Sequence, residues 1–220
     1  MSSRVKLLDE TTEAPIDEPM PLDCSLKWIS SSEDKVNALV DIFFTQTAYT
    51  KCVEHTASHL DNEVGGVLVG ELRVDSQRNR SYIVIQDIIP ALFTAASGTH
   101  VTFTHDTLVD LNKHLENDHP GKRIVGWYHS HPRLGVFLSG HDVWIQKHLF
   151  SDSTQVALVV DPEYDQAGFF CWQDDQVLDP ARYVGFYELS DFGDESIVEW
   201  NNLSPVVEEF SAQDNEGGEK

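Results

Sequence analysis

The chain is 220 residues long and sets 37 Asp and Glu against 15 Lys and Arg, a formal charge of −22. Acidity on that scale repels a phosphate backbone and an anionic bilayer surface, which argues against nucleic acid and membranes as partners. Hydrophobic residues make up 40% and aromatics 10%, enough to bury the core of one domain with some chain left over.

Residues 1–23 mix acids with Pro15, Pro19 and Pro21 and show no hydrophobic period, which predicts a flexible acidic arm. No basic and apolar leader opens the chain, and its apolar runs fall short of the ~18 residues of a membrane span. After a brief apolar run at Asp41–Phe44, Thr45 to His59 sets Ala48, Cys52 and Val53 on one helical face. Glu63–Val74 and Ser81–Pro90 are rich in β-branched residues, and turn chemistry between them predicts a hairpin. His100–Thr104 reads as a short strand, and Asp106–Asn117 as a helix carrying Leu108, Leu111 and Leu115. Arg123–Tyr128 is a strand that runs straight into His129-Ser130-His131-Pro132, and Ser139–Phe150 is a helix.

Gln155–Val160 is almost wholly apolar, as expected of a strand covered on both faces. Gly168–Trp172 and Arg182–Leu189 complete the strands, and 191–220 forms a second flexible acidic tail. The expected class is α/β (α+β), a mixed sheet flanked by two or three helices within a domain over 24–190. Charge gathers at the ends: residues 1–34 hold eight acids and three bases, residues 188–220 ten acids and one base. Such tails serve solubility or docking to a protein partner. Cys24, Cys52 and Cys171 have neither disulfide nor metal-knuckle spacing, which fits a reducing, cytoplasmic setting.

The chemistry concentrates in residues 129–142. His129 and His131 stand two apart at a strand end, so alternation turns both imidazoles to one face, within reach of one metal ion. Pro132 then stops the strand. Ser139-x-x-Asp142 has the form of a helix start, with Ser139 as N-cap and Asp142 in the first turn, aimed back at the His pair. Two imidazoles and a carboxylate suit zinc and leave a fourth position for water, the mark of a catalytic rather than structural site. Zinc lowers the pKa of bound water from 15.7 to about 7. A lone H-x-H or a lone S-x-x-D carries little information; their conjunction at a strand–loop–helix junction carries much more.

The segment HSHP-x6-SGHD resembles the JAMM (MPN+, JAB1/Mov34) signature of zinc metalloisopeptidases, and GWYHSHP resembles the same stretch in proteasome-lid and signalosome deubiquitinases. That family also uses an upstream Glu in an E-x-G-G setting, matched here by Glu63-Val64-Gly65-Gly66. The resemblance covers about residues 40–190. It implies the MPN fold, His129, His131 and Asp142 as ligands of one zinc ion, Glu63 as general base, and Ser139 as hydrogen-bond donor to the oxyanion. It implies hydrolysis of the isopeptide or peptide bond after the C-terminal Gly of ubiquitin or a ubiquitin-like protein, whose conjugates are the implied substrate. Arg133 stands where many members have Gly, and Val136-Phe137 replace a Cys-Trp pair of the eukaryotic enzymes. Short loops at Ala91–His100 and Asp161–Ala167 look more like compact prokaryotic members.

Two other classes compete. A non-catalytic partner-binding module of the MPN type would keep metal for structure alone. Zinc deaminase chemistry wants H-x-E together with P-C-x-x-C, and the sequence holds no P-C-x-x-C.

Overall fold

The computed structural model describes residues 14–91, 101–173, 177–191 and 195–206. Among these residues the strands are β1 (Ile16–Asp17), β2 (Ser25–Ile29), β3 (Val40–Thr45), β4 (Gly65–Asp75), β5 (Arg80–Pro90), β6 (Arg123–Ser130), β7 (Val156–Asp161), β8 (Gln166–Phe170), β9 (Phe186–Leu189) and β10 (Ser204–Pro205). The α-helices are α1 (Gln46–Ala57), α2 (His105–Asp118) and α3 (Gly140–His148). The strands lie side by side as β10-β2-β9-β3-β5-β4-β6-β7-β8, with β1 added in parallel at Arg73–Val74 of β4. The sheet is mixed: β3 runs parallel to β5 and β9, and β6 to β7, while β4 is antiparallel to β5 and β6. This is the α+β class expected from the sequence. Among the described residues, no helix is long and apolar enough to cross a membrane.

Strand alternation sorts side chains onto two cores. Leu68, Val156, Leu158 and Val160 face α1, which contributes Ala48, Tyr49 and Cys52. Val67, Val69, Ala157 and Val159 face the side of α2 and α3, meeting Leu108, Leu111 and Ile145. With both faces covered, every residue of β7 is buried. The register of β6 against β4 slips at Leu68/Val69 and leaves Val125 as an extra residue. That bulge puts Val125 on the α1 side while Ile124 and Trp127 stay on the other. Each α-helix begins on a hydroxyl cap: Thr45, Thr104 and Ser139 accept from the N–H groups of Ala48, Thr107 and Asp142.

Several expectations need correction. Residues 101–104 form no strand; Val101 and Phe103 are buried without a strand partner, and Thr104 caps α2, while His100 lies outside the described residues. Of Arg182–Leu189 only the last four residues are strand, Val184 making an isolated bridge to Phe169. Strand β2 escaped notice because only Trp28 in it is buried, so alternation is faint.

The expected flexible arm holds together over its second half. Met20 N–H donates to the buried Asp75 carboxylate (3.0 Å), and Tyr82 O–H to the Glu18 carbonyl (3.0 Å). Met20 and Leu22 pack on Phe43, Tyr82 and Val84. Residues 195–206, read as tail, are likewise bound: Trp200 and Leu203 join the core, and Ser204–Pro205 pairs with β2. In both segments one or two apolar anchors and backbone hydrogen bonds do the holding, and neither leaves a periodic trace in a polar stretch. Residues 1–13 and 207–220 lie outside the described residues.

Candidate metal centre

The antiparallel pairing of β4 and β6 sets His129 opposite Gly65, and the parallel pairing of β6 and β7 sets it beside Val159. His131 follows the strand, its N–H donating to Val160 O at 2.8 Å, so the extended backbone carries on and both imidazoles share the α2/α3 face. Asp142 enters from α3 through a reciprocal cap: Ser139 Oγ accepts from Asp142 N–H (3.2 Å), and Asp142 Oδ2 accepts from Ser139 N–H (2.6 Å). The three side chains converge, all buried. His129 Nε2 stands 3.0 Å from His131 Nε2 and 3.4 Å from Asp142 Oδ1, and His131 Nε2 stands 3.7 Å from Asp142 Oδ2. Ligand atoms about 2.0–2.2 Å from a tetrahedral zinc lie roughly 3.3 Å apart, so the donor types and their spacing both fit that ion.

The surroundings prepare these groups. His131 Nδ1 lies 3.3 Å from Gly135 O, which keeps the proton on Nδ1 and the lone pair on Nε2. His129 has no such partner: among the described residues its Nδ1 is unpaired. Its ring instead lies flat on Trp127, centroids 4.6 Å apart and planes 8° off parallel. Trp127 is fixed in turn by Nε1–H donating to Gln146 Oε1 (2.6 Å), and Gln146 donates to the carbonyls of Phe150 and Gln155. Burial lowers the His129 pKa against the opposing pull of Asp142. Burial alone would raise the Asp142 carboxyl, but His129, His131 and Ser139 bring it far below the usual carboxylate range. A neutral imidazole beside a carboxylate is the protonation state a metal needs.

Glu63 comes from the segment before β4. Its Oε1 is 4.0 Å from His131 Nε2, and its Oε2 accepts from Val101 N–H at 3.2 Å. Ser130, between the two histidines, fixes that segment. Its N–H donates to Val64 O (2.8 Å), and its Oγ accepts from Val64 N–H (3.0 Å). A Cβ on Gly65 would sit 2.5 Å from Tyr128 O, and one on Gly66 would collide with Ile89 O, so the glycine pair serves close strand approach. Ser139 Oγ accepts from Asp142 N–H, and its hydroxyl keeps a proton of its own to donate. His141 turns away to Val101 O (3.2 Å). Phe137 borders the centre, its ring 4.8 Å from that of His131. The structure thus gathers His129, His131 and Asp142, with Glu63 beside them and Ser139 joined through its cap. The sequence reading missed Ser130 and Gln146, whose only signal is a polar type at a position that must be buried.

The family model described as JAB1/Mov34/MPN/PAD-1 ubiquitin protease matches residues 38–154, a stretch holding all five of these side chains. Ubiquitin carboxyl-terminal hydrolase RPN11 of Saccharomyces cerevisiae is 32% identical over 126 residues, 55% of this chain and 38% of that protein. COP9 signalosome complex subunit 5 of Eremothecium gossypii is 31% identical over 166 residues, 69% and 38% of the two chains. The 26S proteasome non-ATPase regulatory subunit 14 of Caenorhabditis elegans is 31% identical over 133 residues, 59% and 40%. The chain spans about two fifths of the length of these curated relatives.

Proposed function

This chain belongs to the JAB1/Mov34/MPN/PAD-1 family, and from that premise we propose that it is a zinc-dependent hydrolase. Its substrate is the isopeptide or peptide bond after the C-terminal Gly of ubiquitin or a ubiquitin-like protein. The observation that carries this reading is the meeting of His129, His131 and Asp142 with Glu63 4.0 Å from His131. His129, His131 and Asp142 would hold the zinc ion, which would supply Lewis acidity and lower the pKa of water to about 7. Glu63 is the general base: Val101 N–H holds one carboxylate oxygen, and the other takes the proton from water and returns it to the leaving amine. Ser139 O–H donates to the substrate oxyanion. An acidic surface favours a basic, Gly-ended tail over a nucleic acid. The acidic ends of the chain offer docking to a protein partner, and the free Cys24, Cys52 and Cys171 support a cytoplasmic setting.

Elemental analysis of the purified chain should find one zinc per molecule, and fluorogenic amides of ubiquitin or ubiquitin-like C-termini should be cleaved. Glu63→Gln should abolish turnover, a loss of about 10²–10⁴-fold for a general base, with zinc retained. Absence of zinc sinks the proposal. Hydrolysis of none of these substrates, together with melting on chelation, would leave the partner-binding module with a structural metal.

A further inference from the structure

Asp161, the last residue of β7, is fully buried. Its carboxylate accepts four backbone N–H groups. Two come from its own turn, Glu163 (3.0 Å) and Tyr164 (3.3 Å). The other two come from the loop after His131: Arg133 N–H reaches Oδ1 at 3.1 Å and Gly135 N–H reaches Oδ2 at 2.8 Å. Because β6 and β7 run parallel, their ends lie at the same edge of the sheet, and a carboxylate ending one strand meets the loop leaving the other. That loop needs such an anchor. Arg133 and Gly135 both have positive φ, 64° and 81°, a costly conformation for the Arg. Gly135 gives its N–H to Asp161 and its carbonyl to His131 Nδ1, 3.3 Å away.

We infer that Asp161 is a positioning residue for His131. By clamping both ends of the Arg133–Gly135 loop it aims the Gly135 carbonyl at Nδ1, which holds the ring and keeps the Nε2 lone pair turned toward His129 and Asp142. Asp161 is fully buried and its carboxylate is engaged by backbone N–H groups, so it acts on the centre through the loop. It lies outside the stretch matched by the family model. The inference rests on the reading of His131 as a metal ligand.

The test uses the full chain stripped of metal and does not depend on hydrolysis. Long-range imidazole ¹⁵N–¹H spectra of the wild-type chain should show His131 protonated at Nδ1, and the Gly135 amide should exchange slowly with solvent. In Asp161→Asn, one acceptor oxygen becomes an NH₂ facing a backbone N–H. Exchange at Gly135 should speed up, the two His131 tautomers should mix, and His129 should keep its signals. Zinc affinity, measured by competition with a chromogenic chelator, should fall by about 10–100-fold, as for loss of an outer partner of a metal-binding imidazole. A merely structural role would lower the melting temperature and leave the tautomer alone. If Asp161→Asn keeps both the wild-type tautomer and zinc affinity, the inference is wrong. Should the variant fail to fold, a wild-type His131 protonated at Nε2, or an unprotected Gly135 amide, overturns it equally. A chain that binds zinc but cleaves no ubiquitin-like substrate refutes the proposed function and leaves this role standing.

Discussion

Replacing Ser130 with Ala removes one oxygen from a place water cannot reach. Ser130 is fully buried, and its Oγ is the acceptor for Val64 N–H at 3.0 Å. The variant leaves that amide unpaired, at a cost of about 1–3 kcal/mol for an orphaned buried donor. For a domain of this size each kcal/mol moves the melting temperature by about 2–4 °C, so the metal-free variant should melt about 2–12 °C lower. A second effect is local. Val64 carries Glu63, whose Oε1 stands 4.0 Å from His131 Nε2, and a misplacement near 1 Å can cost about 10²-fold in rate. The expected pattern is therefore a 10–10²-fold loss in kcat/KM with zinc content unchanged. Thermal melts, zinc analysis and hydrogen exchange at the Val64 amide read the three effects separately. A Ser130→Ala chain that melts with the wild type and keeps Val64 protected would refute the reasoning, because the hydroxyl would then hold nothing.

Trp127→Ala deletes a fully buried indole and strands Gln146 Oε1, so about 3–5 kcal/mol of stability should go, and zinc affinity with it; equal affinity in a folded variant would show that the stack on His129 is idle. Trp200→Ala should cost a similar amount, and a broad-specificity protease should then cut within 195–206 while the centre still binds zinc. Asp75 gives a pH effect. The Met20 N–H, with Arg78, holds its carboxyl below the usual carboxylate range against the effect of burial. A lowered folded-state pKa means stabilisation is complete above the unfolded value of about 3.9 and is lost as pH falls through the folded value. Asp75→Asn should therefore flatten the acid limb of a stability–pH curve below about pH 4; an unchanged limb would disprove the link.

How much of this was legible beforehand depended on how local the signal was. The β4–β5 hairpin, α1, α2, α3 and the buried β7 each carry their periodicity or turn residues within a dozen positions, and they lie within a few residues of where the pattern placed them. His129, His131 and Asp142 were equally readable, because strand alternation and a capped helix start fix the directions of side chains over short range. What escaped needs partners far away in sequence. Trp200 finds Tyr49 and Phe44, and Met20 finds Asp75, and no window of the chain contains both halves of either contact. Ser130 escaped for a related reason. Its type reveals a hydroxyl, but only the register of β4 on β6 reveals what the hydroxyl accepts.

Glu63, the His pair and Asp161 sit on or beside the adjacent strands β4, β6 and β7 but span almost a hundred residues of chain. Contacts between segments that far apart incur their loop-closure entropy before they gain anything, so such pairings form late. During synthesis β6 would leave the ribosome without β7 beside it and without the carboxylate that shapes the loop after His131. The nascent chain would then hold two exposed imidazoles but no assembled cage until Asp161 emerges. A metal held at the proposed centre would thus enter after the sheet has closed, and its uptake would mark the last step of folding rather than the first.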